Sequence, residues 1–564
     1  MKSYYLLMLL LLSSLKSLPQ EKQIREAYKK QISKTLKKKN IAGATVAVVS
    51  SEGILWIDNF GYADLEKNLP VTEETIFGLG SVTKVFTSTA VMQLAERGHI
   101  NLDNPLNEYL PAFQMMDDCS GVTPRNVLTH HSGLPSDIFR GMFNQQPEDY
   151  KQVVNYMNQE YMAGIADQIR AYSNSGYTLL GHMIAEVSKT EYQEYINQNI
   201  LQPLNMQNTG FNDLDNASKT YDGKGNAQPD AYLRDIPAGG LFSSSKDMAK
   251  FLQAYLSQSQ QLLKKATFNE VLEKQHQDAA LNFSNEYALG WNVTSRPHAG
   301  KIYTHTGTTL YFNSAVALSP KADVGVIILT NSANGGHLFH HANSIIEQLA
   351  ISNGLSKEKQ PVAKLGSKKR VDRSTSELDD YAGIYVTPGA YIDVYSKRKK
   401  LFMKLQGLRL ELIPVGNNQF IPKVILLRFI PIRLGDQRIM FEDLEGYQLM
   451  TNIEEGSSKE LIAIKLKPQP IPEPWTTSVG DYQLVNSLSG EIPYFEDFRI
   501  TKENNLLVLS FKTVSEGQKI KMVLEFINEQ RAKVAGLGRY AGQSVIYQNG
   551  IIKAFGYELK KISE

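Results

Sequence analysis

The 564-residue chain contains one cysteine, Cys119, and therefore cannot form a disulfide within itself. Its stability has to come from the packing of apolar side chains, which supply 42% of the residues and are enough for large cores. Charge of one sign is also lacking, because the formal net charge is +2, and this argues against nucleic acid as a partner. The ten histidines are scattered, and neither HExxH nor a CxxC pair occurs, so the sequence predicts no metal site.

Long apolar runs are scarce, and the prominent one lies at the N-terminus. Lys2 precedes the run YYLLMLLLL, which is followed by the small polar stretch SSLKS. This layout is typical of a secretory signal, and the run is shorter than the roughly 20 residues that span a membrane. We therefore predict a signal peptide over residues 1–20 and a secreted or periplasmic protein. An uncleaved N-terminal membrane anchor is the alternative, and no later segment reads as a transmembrane helix.

The segment 21–354 has strand-like stretches at both ends and a mostly helical middle. A predicted helix over 21–38 precedes the runs GATVAVVS and GILWIDNFGYAD, whose β-branched and aromatic residues favour strands. Helical patterns dominate about 101–274, and strand-like runs such as KIYTHTG, NSAVALSP and VGVIILTNS return before a last helix. We expect an α+β domain whose terminal strands share one antiparallel sheet. The helical region would be inserted between them, with a ligand cleft between the two layers.

The remainder of the chain is rich in alternating, strand-like runs. A polar linker is predicted over 355–377, and the Pro-rich break KPQPIPEPW divides the tail into units 378–468 and 469–564. Each unit begins similarly, with YAGIY in one and VGDYQ in the other. We interpret the tail as a weak repeat of two antiparallel β units, each a small barrel or half-barrel. A single larger β domain is the alternative.

The stretch GLGSVTKVFTSTAVMQLAERGHI predicts an amphipathic helix that ends near Gly98 and has Ser81 at or beside its start. Serine is a favoured helix cap, so a structural role for Ser81 is one interpretation. A catalytic role is the other, because residues i and i+3 share a helix face and Lys84 can approach the Ser81 hydroxyl as its base. The pair alone decides nothing, since the same spacing recurs at Ser13, Ser243, Ser356 and Ser396.

Two further motifs contain groups that suit proton transfer and substrate binding. In AYSNSGYTLLG, Tyr172 and Asn174 lie in a polar loop that opens a helix. A tyrosine near a lysine can relay protons, and an asparagine can hold a substrate carbonyl or position the lysine; a capped loop with a half-buried tyrosine is the alternative. In YTHTGTT, His305 could donate a hydrogen bond to a substrate, and Gly307 would let a substrate approach the strand.

In this order, Ser-x-x-Lys, Tyr-x-Asn and His-Thr-Gly resemble the signature motifs of serine β-lactamases and penicillin-binding proteins. The tyrosine and the histidine variant are similar to the branch of class C β-lactamases, D-aminopeptidases, D-alanyl-D-alanine carboxypeptidases and esterases. Segments such as VTPRNVLTHHSGLPS, LQPLNMQNTGF and PAGGLFSSSKDMAKF resemble family segments in the family's order and extend the likeness over about 76–332. The β-rich tail is more faintly similar to the lipocalin-like barrel domains attached to some of these hydrolases.

The resemblance implies a role for each motif residue. Ser81 would be the acylated nucleophile, and Lys84 and Tyr172 would share the general-base and general-acid work. The backbone N–H groups of Ser81 and of the residue after Gly307 would form the oxyanion hole. The implied substrate-binding set is Asn174, His305, Gly307 and Thr308.

The same resemblance implies an acyl-enzyme mechanism that needs no cofactor. Because His305 stands where β-lactamases proper carry lysine, it favours small esters or D-amino-acid-containing peptides over penicillin-type substrates. We therefore predict an exported serine hydrolase whose substrate is a small ester, a peptide or a cell-wall-derived molecule, and whose tail is a candidate surface for a homo-oligomer. The alternatives are a β-lactamase or penicillin-binding activity, or a catalytically silent binding or sensing module.

Overall fold

The computed structural model describes residues 2–211, 217–229, 231–283, 286–358, 365, 368–405, 407–426, 430–433, 437–454, 459–514 and 517–562. Its helices are α1 (Lys2–Lys39), α2 (Thr83–Glu96), α3 (Leu106–Tyr109), α4 (Pro124–Leu128), α5 (Gln152–Met157), α6 (Asn174–Ser188), α7 (Tyr192–Ile196), α8 (Ile236–Gly239), α9 (Ser245–Leu256), α10 (Lys265–Val271), α11 (His340–Ser352), α12 (Thr375–Asp379) and α13 (Glu473–Thr476). Shorter helical turns cover Gly80–Val82, Asn197–Leu201, Ala280–Asn282 and Ala333–Leu338.

An antiparallel sheet organises the first domain. The strands of this domain are β1 (Gly43–Ser50), β2 (Gly53–Asp64), β3 (Leu69–Pro70), β4 (Ile76–Gly78), β5 (Phe143–Asn144), β6 (Thr209–Phe211), β7 (Thr220–Tyr221), β8 (Ala227–Gln228), β9 (Tyr232–Leu233), β10 (Leu241–Ser244), β11 (Glu286–Tyr287), β12 (Asn292–Arg296), β13 (Gly300–Thr308), β14 (Asn313–Ser319) and β15 (Val324–Thr330). The main sheet has the order β11-β12-β13-β14-β15-β1-β2-β3. Strands from both ends of the domain therefore meet where β1 pairs with β15, which confirms the predicted α+β arrangement.

Both faces of this sheet are covered, because β1 and β15 alternate apolar side chains between two cores. Ala47 and Val49 point into the larger core beneath the inserted helices, and Val46 and Val48 point into the core beneath α1 and α11. The helix predicted over 21–38 is longer in the structure, where α1 starts at Lys2. Within the described part of the chain, none of the helices combines the length and the apolar character that crossing a bilayer requires.

Helix α2 lies in the centre of the first domain and is not amphipathic, contrary to the prediction. Residues 83–94 are all buried, and the polar ones bond to neighbouring groups of the core. Thr87 Oγ1 donates to the Pro237 carbonyl at 2.6 Å, and Ser88 Oγ donates to the Leu289 carbonyl at 2.8 Å. Because its polar side chains are satisfied in this way, the helix can be surrounded by protein on every side.

The tail forms two antiparallel barrels. The first contains β16 (Gly383–Thr387), β17 (Ala390–Ser396), β18 (Leu401–Leu405), β19 (Leu408–Gly416), β20 (Gln419–Leu426), β21 (Ile430–Arg433), β22 (Arg438–Leu444), β23 (Tyr447–Ile453) and β24 (Glu460–Lys465). A pairing of β19 with β20 closes eight of these strands into a ring, and β21 pairs with β20 outside it. The second is a closed barrel of β25 (Gly480–Leu484), β26 (Phe495–Glu503), β27 (Leu506–Thr513), β28 (Lys519–Phe526), β29 (Arg531–Val534), β30 (Ser544–Gln548), β31 (Ile551–Ala554) and β32 (Tyr557–Lys561).

The two barrels repeat the same local arrangement at their first strands. The Tyr385 hydroxyl donates to the carbonyl four residues earlier at 3.0 Å, and Tyr482 does the same at 2.6 Å. A glycine stands two residues before each tyrosine. The space that a Cβ on this glycine would need is occupied by a lysine side chain of the last strand, which is Lys465 in one barrel and Lys561 in the other. These matching contacts give a structural basis for the similarity of YAGIY and VGDYQ.

Candidate active site

The three sequence motifs converge on a cavity of about 390 Å³ in the first domain. Ser81 lies on the turn Gly80–Val82, and Lys84 lies on the first turn of α2. Tyr172 comes from the loop before α6, Asn174 is the first residue of α6, and His305 is on β13. These elements are far apart in the chain, and the packing of α2 against α6 and of β13 against the Ser81 turn brings them together.

Ser81 does not cap α2, which corrects one of the two interpretations of this residue. The cap position is Val82, and no side chain caps the helix or the preceding turn. The turn instead fits against β13 because both partners lack a side chain. A Cβ on Gly80, whose φ is +50°, would lie 2.9 Å from the Thr308 nitrogen, and one on Gly307 would lie 2.0 Å from the Leu79 carbonyl oxygen.

Gly307 is therefore placed differently from the prediction. It was expected to give a substrate access to the strand, but its small size serves the approach of the Ser81 turn, since a Cβ there would also lie 2.9 Å from the Ser81 nitrogen. Thr308 does line the cavity, and its backbone runs beside Gly80. The backbone nitrogens of Ser81 and Thr308 thus both belong to the contact between the turn and β13.

Lys84 is fully buried, and its Nζ contacts three oxygens. It donates to Asn174 Oδ1 at 2.6 Å and to the Ala238 carbonyl at 2.7 Å, and it lies 3.3 Å from Ser81 Oγ. Burial lowers the pKa of Lys84 well below its ordinary value, and the nearby cation of Arg539 lowers it further, whereas Asp137 raises it. A neutral amine has two N–H bonds, and the first two oxygens accept them. Its lone pair is then directed to the Ser81 hydroxyl, as a general base requires.

Tyr172 shares a hydrogen bond with Ser81 and lies beside the lysine. Burial raises the pKa of Tyr172 above its ordinary value, and the hydrogen bond to Ser81 opposes that rise. Its ring lies 4.9 Å from Lys84 Nζ and stacks on His130, with 4.2 Å between ring centroids. Tyr172 is therefore a protonated phenol that can pass a proton between Ser81 and a bound group.

His305 has a hydrogen-bonding role opposite to the predicted donor. Its Nδ1 lies 2.9 Å from the Thr306 carbonyl, which can only accept, so Nδ1 bears the proton. Burial lowers the pKa of His305 to about 3, so the ring is neutral. Nε2 therefore presents a lone pair, and it has no hydrogen-bond partner among the described residues. His305 can accept a hydrogen bond from a substrate N–H, but it cannot donate to a carboxylate.

Two charged residues that the sequence motifs did not indicate complete the site. Asp137 is fully buried; its Oδ1 accepts from Asn174 Nδ2 at 2.6 Å, and its Oδ2 lies 2.9 Å from an N–H-bearing nitrogen of Arg539. The latter belongs to the loop between β29 and β30 of the second barrel, and its guanidinium lies 5.0 Å from the centroid of the Tyr172 ring. Asp137 thus links the residue that holds Lys84 to a cation of another domain.

The second barrel forms one wall of the cavity. Phe139 of the first domain stacks on Tyr494 with 4.8 Å between centroids, and both line the cavity. Backbone groups also pair across the junction, with Phe139 N donating to the Phe555 carbonyl at 2.8 Å and Ile492 N donating to the Phe143 carbonyl at 2.9 Å. Burying an aromatic side chain of this kind contributes about 1.5–3 kcal/mol, so the junction is a stable part of the site.

A family profile described as Beta-lactamase matches residues 28–350, which is more than half of the chain. The chain belongs to the beta-lactamase family. The match covers every motif residue and ends before the barrels, so Arg539 lies outside the part that defines the family. Among the described residues, no group of three or more His, Cys, Asp or Glu side chains is arranged to hold a metal ion.

The chain is also similar in sequence to two bacterial proteins. Protein flp of Staphylococcus aureus strain N315 is 27% identical over 323 residues, which cover 54% of this chain and 62% of that protein. Penicillin-binding protein 4* of Bacillus subtilis strain 168 is 24% identical over 464 residues, which cover 75% of this chain and 98% of that protein. The chain thus spans less than two thirds of the flp sequence.

Two solved structures share the fold. The octameric penicillin-binding protein homologue from Pyrococcus abyssi superposes with a TM-score of 0.52 at 22% identity, over 77% of this chain and 99% of that one. The crystal structure of SurE with D-Leu gives a TM-score of 0.56 at 18% identity, over 80% of this chain and 100% of that one. At sequence identities this low, the two superpositions show a common fold and nothing beyond it.

Proposed function

We propose that this chain is a serine hydrolase that forms an acyl-enzyme on Ser81 and acts on small esters or D-amino-acid-containing peptides. The single observation that carries the proposal is the arrangement at Lys84. Two acceptor oxygens take the N–H bonds of a buried amine whose pKa is well below its ordinary value, and the Ser81 hydroxyl lies at the remaining position, 3.3 Å away. A buried lysine that is held in this way next to a serine hydroxyl is the kind of base that activates a nucleophilic serine.

In the acylation step, the Ser81 oxygen forms a bond to the substrate carbonyl carbon while its proton moves to Lys84. The negative charge that develops on the carbonyl oxygen is met by the backbone N–H groups of Ser81 and Thr308, which lie at the contact of the turn with β13. The carbon–oxygen or carbon–nitrogen bond of the leaving group then breaks. Tyr172, which takes part in the Ser81 hydrogen bond, gives its hydroxyl proton to that group and takes over the proton that Lys84 received from Ser81.

Deacylation reverses the roles. Water occupies the position that the leaving group has vacated, gives its proton to the Tyr172 and Lys84 pair, and attacks the acyl carbon. Ser81 recovers its proton from the same pair when the product leaves. Apart from the substrate and water, the scheme uses only groups of this chain.

The preference for esters and D-amino-acid peptides rests on His305 and on the cavity walls. A neutral imidazole with a free lone pair accepts an N–H of a peptide, whereas it offers no positive charge to the carboxylate of a penicillin-type substrate. Phe139, Phe143 and Tyr494 provide apolar and aromatic surface for an acyl side chain. The relative SurE, crystallised with D-Leu, is consistent with this class of substrate.

Export and assembly are further parts of the proposal. The N-terminal apolar run favours a secreted or periplasmic protein, with a retained membrane anchor as the alternative. The octameric relative from Pyrococcus abyssi favours a homo-oligomer. Light scattering of the purified protein gives the oligomeric state, and N-terminal sequencing of exported material gives the cleavage point.

A fluorophosphonate probe together with a panel of substrates tests the enzymatic proposal. The wild-type chain is expected to be labelled and Ser81→Ala to remain unlabelled. Ser243→Ala, which alters another Ser-x-x-Lys pair, is the matched control and is expected to be labelled like the wild type. The panel compares a short-chain aryl ester, a D-amino-acid peptide and a chromogenic cephalosporin. Absence of labelling and turnover in the wild type would support a binding module, and fast cephalosporin turnover alone would support a β-lactamase.

A further inference from the structure

Arg539 is a cation of the second barrel that lines the cavity of the first domain. It lies between β29 and β30, in a loop that is fixed to the first domain by several bonds. The next residue, Tyr540, donates its backbone N–H to Ser136 Oγ at 2.9 Å, and Gln543 donates its side-chain amide to the Asp137 carbonyl at 3.2 Å. Gly542 packs so closely on Ala163 that a Cβ would overlap its carbonyl oxygen. The position of the guanidinium in the cavity is therefore defined by the docking of the barrel.

The guanidinium is held at one end and accessible at the other. One of its nitrogens lies 2.9 Å from Asp137, while its side chain remains 41% exposed and forms part of the cavity wall. A guanidinium has five N–H bonds, and a single oxygen partner uses only a small part of this capacity. Planar guanidinium groups with N–H bonds still available are well suited to bind a carboxylate.

The location of Arg539 indicates which part of a substrate it would contact. The Tyr172 ring lies close to both Lys84 and Arg539, with its centroid 4.9 Å from Lys84 Nζ and 5.0 Å from the guanidinium carbon of Arg539. In the proposed mechanism the Tyr172 and Lys84 pair delivers the proton to the leaving group. Arg539 therefore lies on the side of the site from which the leaving group is protonated.

We infer that Arg539 binds a carboxylate carried by the leaving group of the substrate, so that the second barrel supplies a specificity-determining residue of the hydrolase. This inference rests on the proposed function and narrows its substrate class to esters or peptides whose released half is an acid, such as a free C-terminal amino acid. Because His305 is neutral, a carboxylate in this cavity would find its positive partner in Arg539 of the barrel. A penicillin-type substrate also carries its carboxylate on the leaving-group side and would meet the same guanidinium, so the chromogenic cephalosporin of the substrate panel tests this residue as well. The cavity also contains Arg170, whose guanidinium stacks on Tyr287 and bonds to Asn292, and one acidic residue, Asp235, which is paired with Arg234.

A pair of matched esters tests this assignment. Phenyl acetate and its 3-carboxylate derivative release phenols of similar acidity, so their intrinsic reactivities are close and only the leaving-group charge differs. The measured quantity is the ratio of kcat/KM for the charged ester to kcat/KM for the neutral one. In Arg539→Gln this ratio is expected to be about 10- to 100-fold smaller than in the wild type. Arg539→Lys, which keeps a point charge, is expected to retain part of the preference.

Two further variants separate recognition from structure. Arg539→Gln leaves the buried Asp137 without its cation. The double variant Asp137→Asn/Arg539→Gln removes both charges, and its ratio of kcat/KM for the charged ester to kcat/KM for the neutral ester is expected to stay low. Arg499→Gln alters another arginine of the same barrel that pairs with an aspartate, Asp481, at the surface, and its ratio is expected to equal that of the wild type. An equal loss of both ester activities in Arg539→Gln would overturn the inference while leaving the hydrolase proposal standing. If the wild type hydrolyses neither ester nor any peptide with a free C-terminus, both proposals are wrong.

Discussion

Asp137 of the first domain and Arg539 of the second barrel form an ion pair with 2.9 Å between their charged groups, although 402 residues separate them in the chain. The same carboxylate accepts a hydrogen bond from Asn174, which in turn accepts one from Lys84. The charge state of Lys84 in the first domain therefore depends on Arg539 of the second barrel.

Substitutions of the two ion-pair residues, Asp137 and Arg539, should shift the pH dependence of kcat/KM in opposite directions. Lys84 acts as a base only when neutral, so activity is lost as the pH falls through its pKa. Burial is the main cause of the lowered pKa of Lys84, Arg539 lowers it further and Asp137 raises it. Arg539→Gln should therefore move the acidic limb of the kcat/KM profile to higher pH, and Asp137→Asn should move it to lower pH. Shifts in the same direction would contradict the electrostatic account, and Arg499→Gln is the control that should leave the profile in place.

Replacing the base should abolish the reaction without unfolding the chain. Lys84→Met removes the proton acceptor, and kcat/KM for an aryl ester is expected to fall by about 10²–10⁴-fold. Lys246→Met provides the matched control, since Lys246 also follows a serine by three residues but pairs with Glu73 and Glu74 at the surface. Its kcat/KM should remain at the wild-type value. Comparable losses in the two variants would count against a specific role for Lys84.

Two tyrosines near Lys84 should respond differently to loss of their hydroxyl groups. Tyr172→Phe keeps the ring on His130 but removes the group that contacts Ser81, so kcat should fall about 10²-fold or more with little change in stability. Tyr177 donates its hydroxyl to the Leu128 carbonyl at 2.7 Å, away from Ser81. Tyr177→Phe should cost about 1–2 kcal/mol in the free energy of unfolding and leave kcat close to that of the wild type. Kinetics and denaturant unfolding of both proteins distinguish the two cases.

The junction between the barrel and the first domain can be tested with two glycines of similar conformation. Gly542 has φ +77° and lies against the Ala163 carbonyl, whereas Gly550 has φ +76° and no heavy atom within 4 Å among the neighbours described for it. Alanine at either position would have to adopt a left-handed backbone conformation, which costs about 1–2 kcal/mol in the free energy of unfolding. Only Gly542→Ala should also displace the barrel, lowering kcat/KM and exposing the junction to limited proteolysis. Equal behaviour of the two variants would mean that docking of the barrel is not required for activity.

The sheet and the motif residues could be predicted because their signals are local. The strands Gly43–Ser50 and Gly53–Asp64 were visible as runs of β-branched and aromatic residues. The first is buried on both faces and needs apolar residues throughout, whereas the second mixes buried and exposed positions. Ser81, Lys84, Tyr172, Asn174 and His305 occur in short patterns whose spacing is preserved by helix and turn geometry. These patterns identify candidate residues, and the structure adds the distances between them.

The remaining features depend on contacts that no short pattern encodes. The burial of α2 on all sides was missed because its threonines and serines look solvent-exposed until their acceptor carbonyls are known. Gly307 was assigned to substrate access because its neighbour, the Ser81 turn, comes from more than 200 residues earlier in the chain. Asp137 and Arg539 carry no local signal at all, and only the docking of the barrel brings them together.

The Asp137–Arg539 contact can form only late in the synthesis of the chain. A nascent chain that has emerged as far as residue 500 already contains the nucleophile, the base and Tyr172, but the cation on Asp137 does not yet exist. At about 5–20 residues per second, the interval between the synthesis of Tyr172 and that of Arg539 is on the order of tens of seconds. During this interval the first domain has an open wall and a base with an altered charge environment. The complete cavity wall and the ion pair therefore exist only after the second barrel has been synthesised and has docked.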